Sequence, residues 1–169
     1  STDDSPQNFG DGTGFDLAES NEGPIDDSKY ELDKLADKKG LGKQVLKYLE
    51  EAADIAENPT KDNKAQSDRL NAAMETQVDK LRVQLNYINE QIKNGRDARK
   101  AQNAPYTPEE IQDIKKDQAT YQDLITKLQG NDKAEALYSL VMLTVDKMKD
   151  VIGVNAATVL ALDVIKSCL

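Results

Sequence analysis

Few residues in this chain have the type and spacing that chemistry requires. Gly12-Thr13-Gly14-Phe15-Asp16 has the glycine and aspartate spacing of a calcium-binding β-roll turn, Glu50-Glu51 and Glu109-Glu110 are adjacent carboxylates able to divide acid and base roles, and Cys168 is the single thiol. Each lacks the surroundings its chemistry needs. A β-roll depends on many stacked copies, whereas here there is one, with Leu17 a position early, and a dinucleotide-binding glycine loop would follow a strand and open a helix. No histidine is present, which removes the commonest general base and the usual activator of a thiol. Adjacent acids on an amphipathic helix are expected on a solvated face or as a match to the helix dipole. One cysteine and no histidine exclude an internal disulfide and a closed four-ligand zinc site. No catalytic, cofactor-binding or metal-ligating residue is assigned, and a non-enzymatic protein without a cofactor is expected.

The charge is unevenly placed. Residues 1–28 hold eight of the 31 acidic residues (Asp3, Asp4, Asp11, Asp16, Glu19, Glu22, Asp26, Asp27) and none of the 22 Lys and Arg, so most of the net charge of -9 belongs there. The rest is nearly neutral and shows no cluster of cations large enough to replace the counterions of a nucleic acid, so no nucleic-acid partner is expected. Residues 1–28 have no hydrophobic period and too little apolar surface to offset the entropy of ordering. They are expected to form an acidic, glycine-rich tail that is disordered alone, with Phe9, Phe15, Leu17 and Ile25 as anchors that order on a partner protein. The start is acidic and polar where a secretory leader would be basic and then apolar. Lys147, Lys149 and Asp150 interrupt the most hydrophobic stretch, so no membrane span is expected. A soluble protein, or one exported without a cleaved signal, fits this pattern.

The scaffold that would position any site reads as all-α, a helical bundle built on a long antiparallel coiled-coil hairpin, with residues 29–169 as one domain. Ser28-Lys29-Tyr30-Glu31 has the pattern of a capping box, predicting a short helix that ends near Gly40. Leu41, Val45, Tyr48, Leu49, Ala52 and Ala56 recur at spacings of four and three along a second helix that Asn58-Pro59 stops. The hairpin is expected over about residues 60–129. Its first helix runs from near Thr60 to Asn94-Gly95, with Met74, Val78, Leu81, Leu85, Ile88 and Ile92 at alternate spacings of four and three. About 34 residues at roughly 1.5 Å each would span about 50 Å, a rod rather than a globule. Arg96, Arg99 and Lys100 suit the carbonyl end of that helix, and Thr107-Pro108-Glu109-Glu110 is a strong helix start. The second seam is Ile111, Ile114, Gln118, Tyr121, Ile125 and Leu128, in which Gln118 could set register.

Asp132 with Glu135 opens the most apolar part of the chain, expected as a helix over about 132–169 with a kink at Gly153. Leu137, Val141, Val145, Met148, Ile152, Ala157, Leu160, Ala161, Val164, Ile165 and Cys168 form its stripe. A helix this apolar must be a core element or a surface buried by another chain, and these residues are the candidate interface. Cys168 reads as a small hydrophobe in the last turn, or as a crosslink between chains.

The acidic region 1–28, the seams from Met74 to Leu128 with the Pro105-to-Glu110 junction, and the apolar region 134–169 together resemble the hydrophilic filament and needle-tip proteins of type III secretion, of the EspA and SseB kind. Gly153 departs from the long continuous terminal helix of that group. The resemblance implies self-assembly through terminal helices and a dedicated chaperone before export. A structural or assembly protein, as a homo-oligomer, is the first expectation. A monomeric adaptor or chaperone that binds a partner through its tail or an apolar groove is the alternative, and a virion component is a variant of the first.

Overall fold

The computed structural model describes residues 25–35 and 42–169. Its elements are two single-turn helices, Asp27–Tyr30 and Leu32–Leu35, followed by α1 (Lys43–Glu57), α2 (Lys64–Ala101), α3 (Pro108–Gln129), α4 (Lys133–Ile152) and α5 (Val154–Cys168). It is an all-α bundle, and no strand occurs among the described residues. No helix among them is long and apolar enough to cross a membrane.

In α1 the three-four spacing delivers Val45, Tyr48, Leu49, Ala52, Ile55 and Ala56 to one buried face. Burying a side chain the size of Leu49 or Ile55 contributes about 1.5–3 kcal/mol relative to leaving it in water. Pro59 ends the pattern, and the free carbonyl of Ala56 accepts from Asn71 Nδ2 at 3.0 Å and from Ser67 Oγ at 3.3 Å, which ties the end of α1 to the start of α2. Helix α2 begins at Lys64 rather than near Thr60. Thr60 and the buried Asn63 hold a turn there, with Thr60 N donating to Asn63 Oδ1 at 2.7 Å and Asn63 N to Thr60 Oγ1 at 3.3 Å. The helix then continues through Asn94-Gly95 to Ala101, past the expected end.

Helix α3 starts as its sequence predicts. Thr107 Oγ1 accepts from Glu110 N, Glu110 Oε1 accepts from Thr107 N, and Pro108 occupies the first turn. At the start of α4, Asp132 accepts from Glu135 N at 3.0 Å. At the N-terminal end the cap is Asp26 rather than Ser28. Asp26 Oδ1 accepts from both the backbone and the side chain of Ser28, and Glu31 at φ 45 breaks the chain into two short turns.

The largest departure from the expected layout lies at Gly153. The region 132–169 is two helices, because Gly153 adopts φ 88 and ψ 158, a backbone conformation that side chains with a Cβ resist. Gly153 N donates to Lys149 O while Ala157 N donates to Gly153 O, so α4 stops and α5 starts at one residue. Helix α5 folds back along α4 and reaches α2, where Arg69 Nε donates to the Cys168 carbonyl at 2.8 Å. Helices α1, α4 and α5, the first half of α2 and the last turns of α3 surround one core that includes Tyr48, Leu70, Leu124, Leu137, Val141 and Leu162. On α2 no residue beyond Leu81 is buried, and on α3 none before Leu124. The outer part of the α2–α3 hairpin therefore projects from the bundle as an arm.

Candidate functional site

A buried group of ionisable side chains lies where the segment 25–35 meets α1 and α5. Tyr48 and Glu51 on α1 are wholly buried, and Asp27 nearly so. Lys29 Nζ lies 3.3 Å from Glu51 Oε1, and Lys166 Nζ of α5 lies 3.6 Å from Asp27 Oδ2. The Tyr30 and Tyr48 rings meet edge to face with centroids 5.5 Å apart, and Lys29 sits 5.2 Å from the Tyr30 ring. Burial pushes both phenols well above their ordinary range. The Glu51 carboxylate adds to this at Tyr30, and the charges of Asp27 and Glu51 add to it at Tyr48. Both shifts favour the protonated hydroxyl. The two carboxylates face lysines, and two ion pairs and a ring contact tie residues 25–35 to α1 and α5. Glu51 was expected on a solvated face and is instead one of the most buried groups, whereas Glu50 is exposed.

Ile25 belongs to this arrangement, because its side chain is buried in the chain's own core. Phe9, Phe15 and Leu17 lie outside the described residues. Of the expected interface, Leu137, Val141, Val145, Ala157, Ala161, Ile165 and Cys168 are in the core, and Met148 packs partly against it. The reversal at Gly153 explains this placement. Two apolar helices lying side by side cover the stripe that one continuous helix would have offered to a neighbour. Ile152, Leu160 and Val164 stay outside, with Leu160 and Val164 at 44% and 41% exposure. Val151, at 74%, and Val154 and Ala156 are exposed as well. Ala156, Leu160 and Val164 are four residues apart and form one outward stripe along α5, whose one exposed charged residue is Asp163.

The tip of the arm is built around Arg99. Its two terminal nitrogens donate to the Glu110 carboxylate at 2.8 and 3.0 Å, and its Nε donates to Ala104 O at 2.6 Å. The Arg99 guanidinium also lies 4.8 Å from the Tyr106 ring. The Arg99 guanidinium, with the backbone N–H of Thr107, holds the Glu110 carboxyl down at about 2, against an ordinary 4.5. Tyr106 packs so closely on Gly95 that a Cβ at that position would collide with its hydroxyl, so Gly95 serves a side-chain contact within a continuous helix and not a helix end. Gln118 donates to Asn89 across the hairpin, fixing the two helices against each other.

Among the described residues, no three His, Cys, Asp or Glu side chains converge as metal ligands would. No protein family, curated protein or solved structure matches the chain.

Proposed function

We propose that this protein is a non-catalytic helical assembly component that joins copies of itself through the outward stripe of α5 and the adjoining α4–α5 turn. The observation that carries the reading is the exposure of Leu160 and Val164 along α5, together with Val151 and Ile152 at the α4–α5 turn, where most large apolar side chains among the described residues of the bundle are buried. Apolar surface exposed along one helix face is a candidate site of association. The arm, which we read as a short antiparallel coiled coil, would then stand out from the assembled bundles. A dedicated chaperone before export would cover the same α5 surface, in keeping with a secreted filament or tip component.

Light scattering on a size-exclusion column, run over a hundredfold range of concentration, tests the reading. Oligomers are expected that Leu160→Asp and Val164→Asp each convert to monomers, with helical circular dichroism retained because both side chains lie outside the core. A monomer at every concentration would overturn it.

A further inference from the structure

The arm carries a second surface, unrelated to the α5 stripe. A groove of about 400 Å³ runs between α2 and α3, floored by Ile92, Ile111, Ile114 and the Tyr106 ring, each of them only half-buried. Its rim is basic. Lys93, Arg96 and Lys115 are exposed there against the single carboxylate of Asp97, and none of the three cations pairs with an acid among the described residues. Arg99 takes no part, since Glu110 already holds it. An apolar floor inside a cationic rim suits an extended segment that alternates aromatic and acidic side chains.

The chain contains such a segment. Residues 1–24 have six acids, no Lys or Arg, and both phenylalanines of the protein, each within two residues of an aspartate at Phe9-Gly10-Asp11 and Phe15-Asp16. The segment is tethered at Ile25, near the point where Lys166 meets Asp27 and Arg69 meets the end of α5. From Arg69 to Ile92, α2 rises about 35 Å at roughly 1.5 Å per residue. The stretch from Ile25 back to Phe15 spans at most about 35 Å and that back to Phe9 about 55 Å, at roughly 3.5 Å per residue. Only Phe9 reaches the groove with slack.

We propose that the arm groove binds residues 1–24 of the same chain, with Phe9 on the isoleucine floor and the neighbouring aspartate against Lys93, Arg96 and Lys115. Tethering presents the segment at an effective concentration of about millimolar, so a weak pairing suffices.

The test uses the full chain with Phe9→p-benzoylphenylalanine, illuminated at low concentration, and crosslinked positions are located by mass spectrometry. Crosslinks within the monomer to residues 88–97 and 111–118 are expected. The paired change Lys93→Glu with Arg96→Glu should reduce them by roughly fivefold, as loss of exposed charge pairs implies, and so should high salt. Crosslinks spread over the bundle, found only in dimers, or indifferent to charge reversal would overturn the proposal. Phe9→Ser, which leaves every described residue unchanged, should raise amide exchange in the same two stretches, and unchanged exchange there would equally overturn it.

Discussion

Met74, Val78 and Leu81 on α2 share a seam with Ile88 and Ile92 farther along the same helix, yet the first three are buried and the last two are half-exposed. The spacing is the same in both halves, and the difference lies in the number of neighbours. Near the base, α2 meets α1, α5 and α3, whereas in the arm it meets α3 alone. A two-helix contact covers one side of each apolar side chain and leaves the other to water, so apolar burial contributes less per residue in the arm. Polar geometry compensates at its tip, where Arg99, Glu110, Thr107 and Tyr106 hold the two helices together. In the base, polar groups do a related job from inside, with Lys29–Glu51 and Lys166–Asp27 fastening the segment 25–35.

The sharpest way to break this comparison is to remove equal amounts of side chain from each region. Leu162→Ala in the core of the base should cost about 2–5 kcal/mol in denaturant unfolding, from lost transfer energy and the cavity left behind. Ile88→Ala in the arm, with fewer neighbours and solvent on one side, should cost roughly 1 kcal/mol. Equal losses would show the arm to be as closely packed as the base.

The same contrast governs what the sequence discloses. Local signals were legible: the α3 start at Thr107-Pro108-Glu109-Glu110 and the Asp132 cap follow from neighbours within a turn or two. Features decided by distant residues were not. Asn94-Gly95 reads as a helix end, but Tyr106, folded back over Gly95, makes it a mid-helix contact point. Gly153 reads as a kink, yet α4 and α5 gain their burial by lying against each other, which demands a full reversal. Glu51 and Lys166 look like surface residues of amphipathic helices until the segment 25–35 brings Lys29 and Asp27 to them. The one sequence signal for that arrangement was Tyr48 three positions before Glu51, on the apolar face of α1.

The interior of the base also contains a polar atom that gains nothing from its position. The Tyr48 hydroxyl is buried and has no hydrogen-bond partner among the described residues, whereas the Glu51 and Asp27 carboxylates near it each pair with a lysine. A buried hydroxyl left unpaired costs about 1–3 kcal/mol. Tyr48→Phe keeps the edge-to-face contact with Tyr30 and removes the orphan oxygen, so unfolding experiments should show a gain of roughly 1 kcal/mol. A loss would show that the hydroxyl contributes to the cluster, which would then be more than a clasp for the segment 25–35.

The smallest expected effect is local to the arm tip and depends on pH. Glu110 titrates at about 2 in the folded protein against an ordinary 4.5, because the charged form is held by Arg99 and the Thr107 N–H. A carboxyl lowered on folding adds stability that is fully present above about pH 4.5 and is lost as the pH falls through about 2. Both partners are solvent-exposed, so screening keeps the effect small and confined to the tip. The amide resonances of Thr107 and Ala104 should shift through this acid window while those of α1 report only their own neighbours. In Glu110→Gln the shift at Thr107 should vanish and the α3 start should survive on the Thr107 hydroxyl, whose bond to the backbone N–H of residue 110 does not titrate. If the shift persists in Glu110→Gln, the arm is instead held by charges farther along α2 and α3, and its independence from the base would have to be sought there.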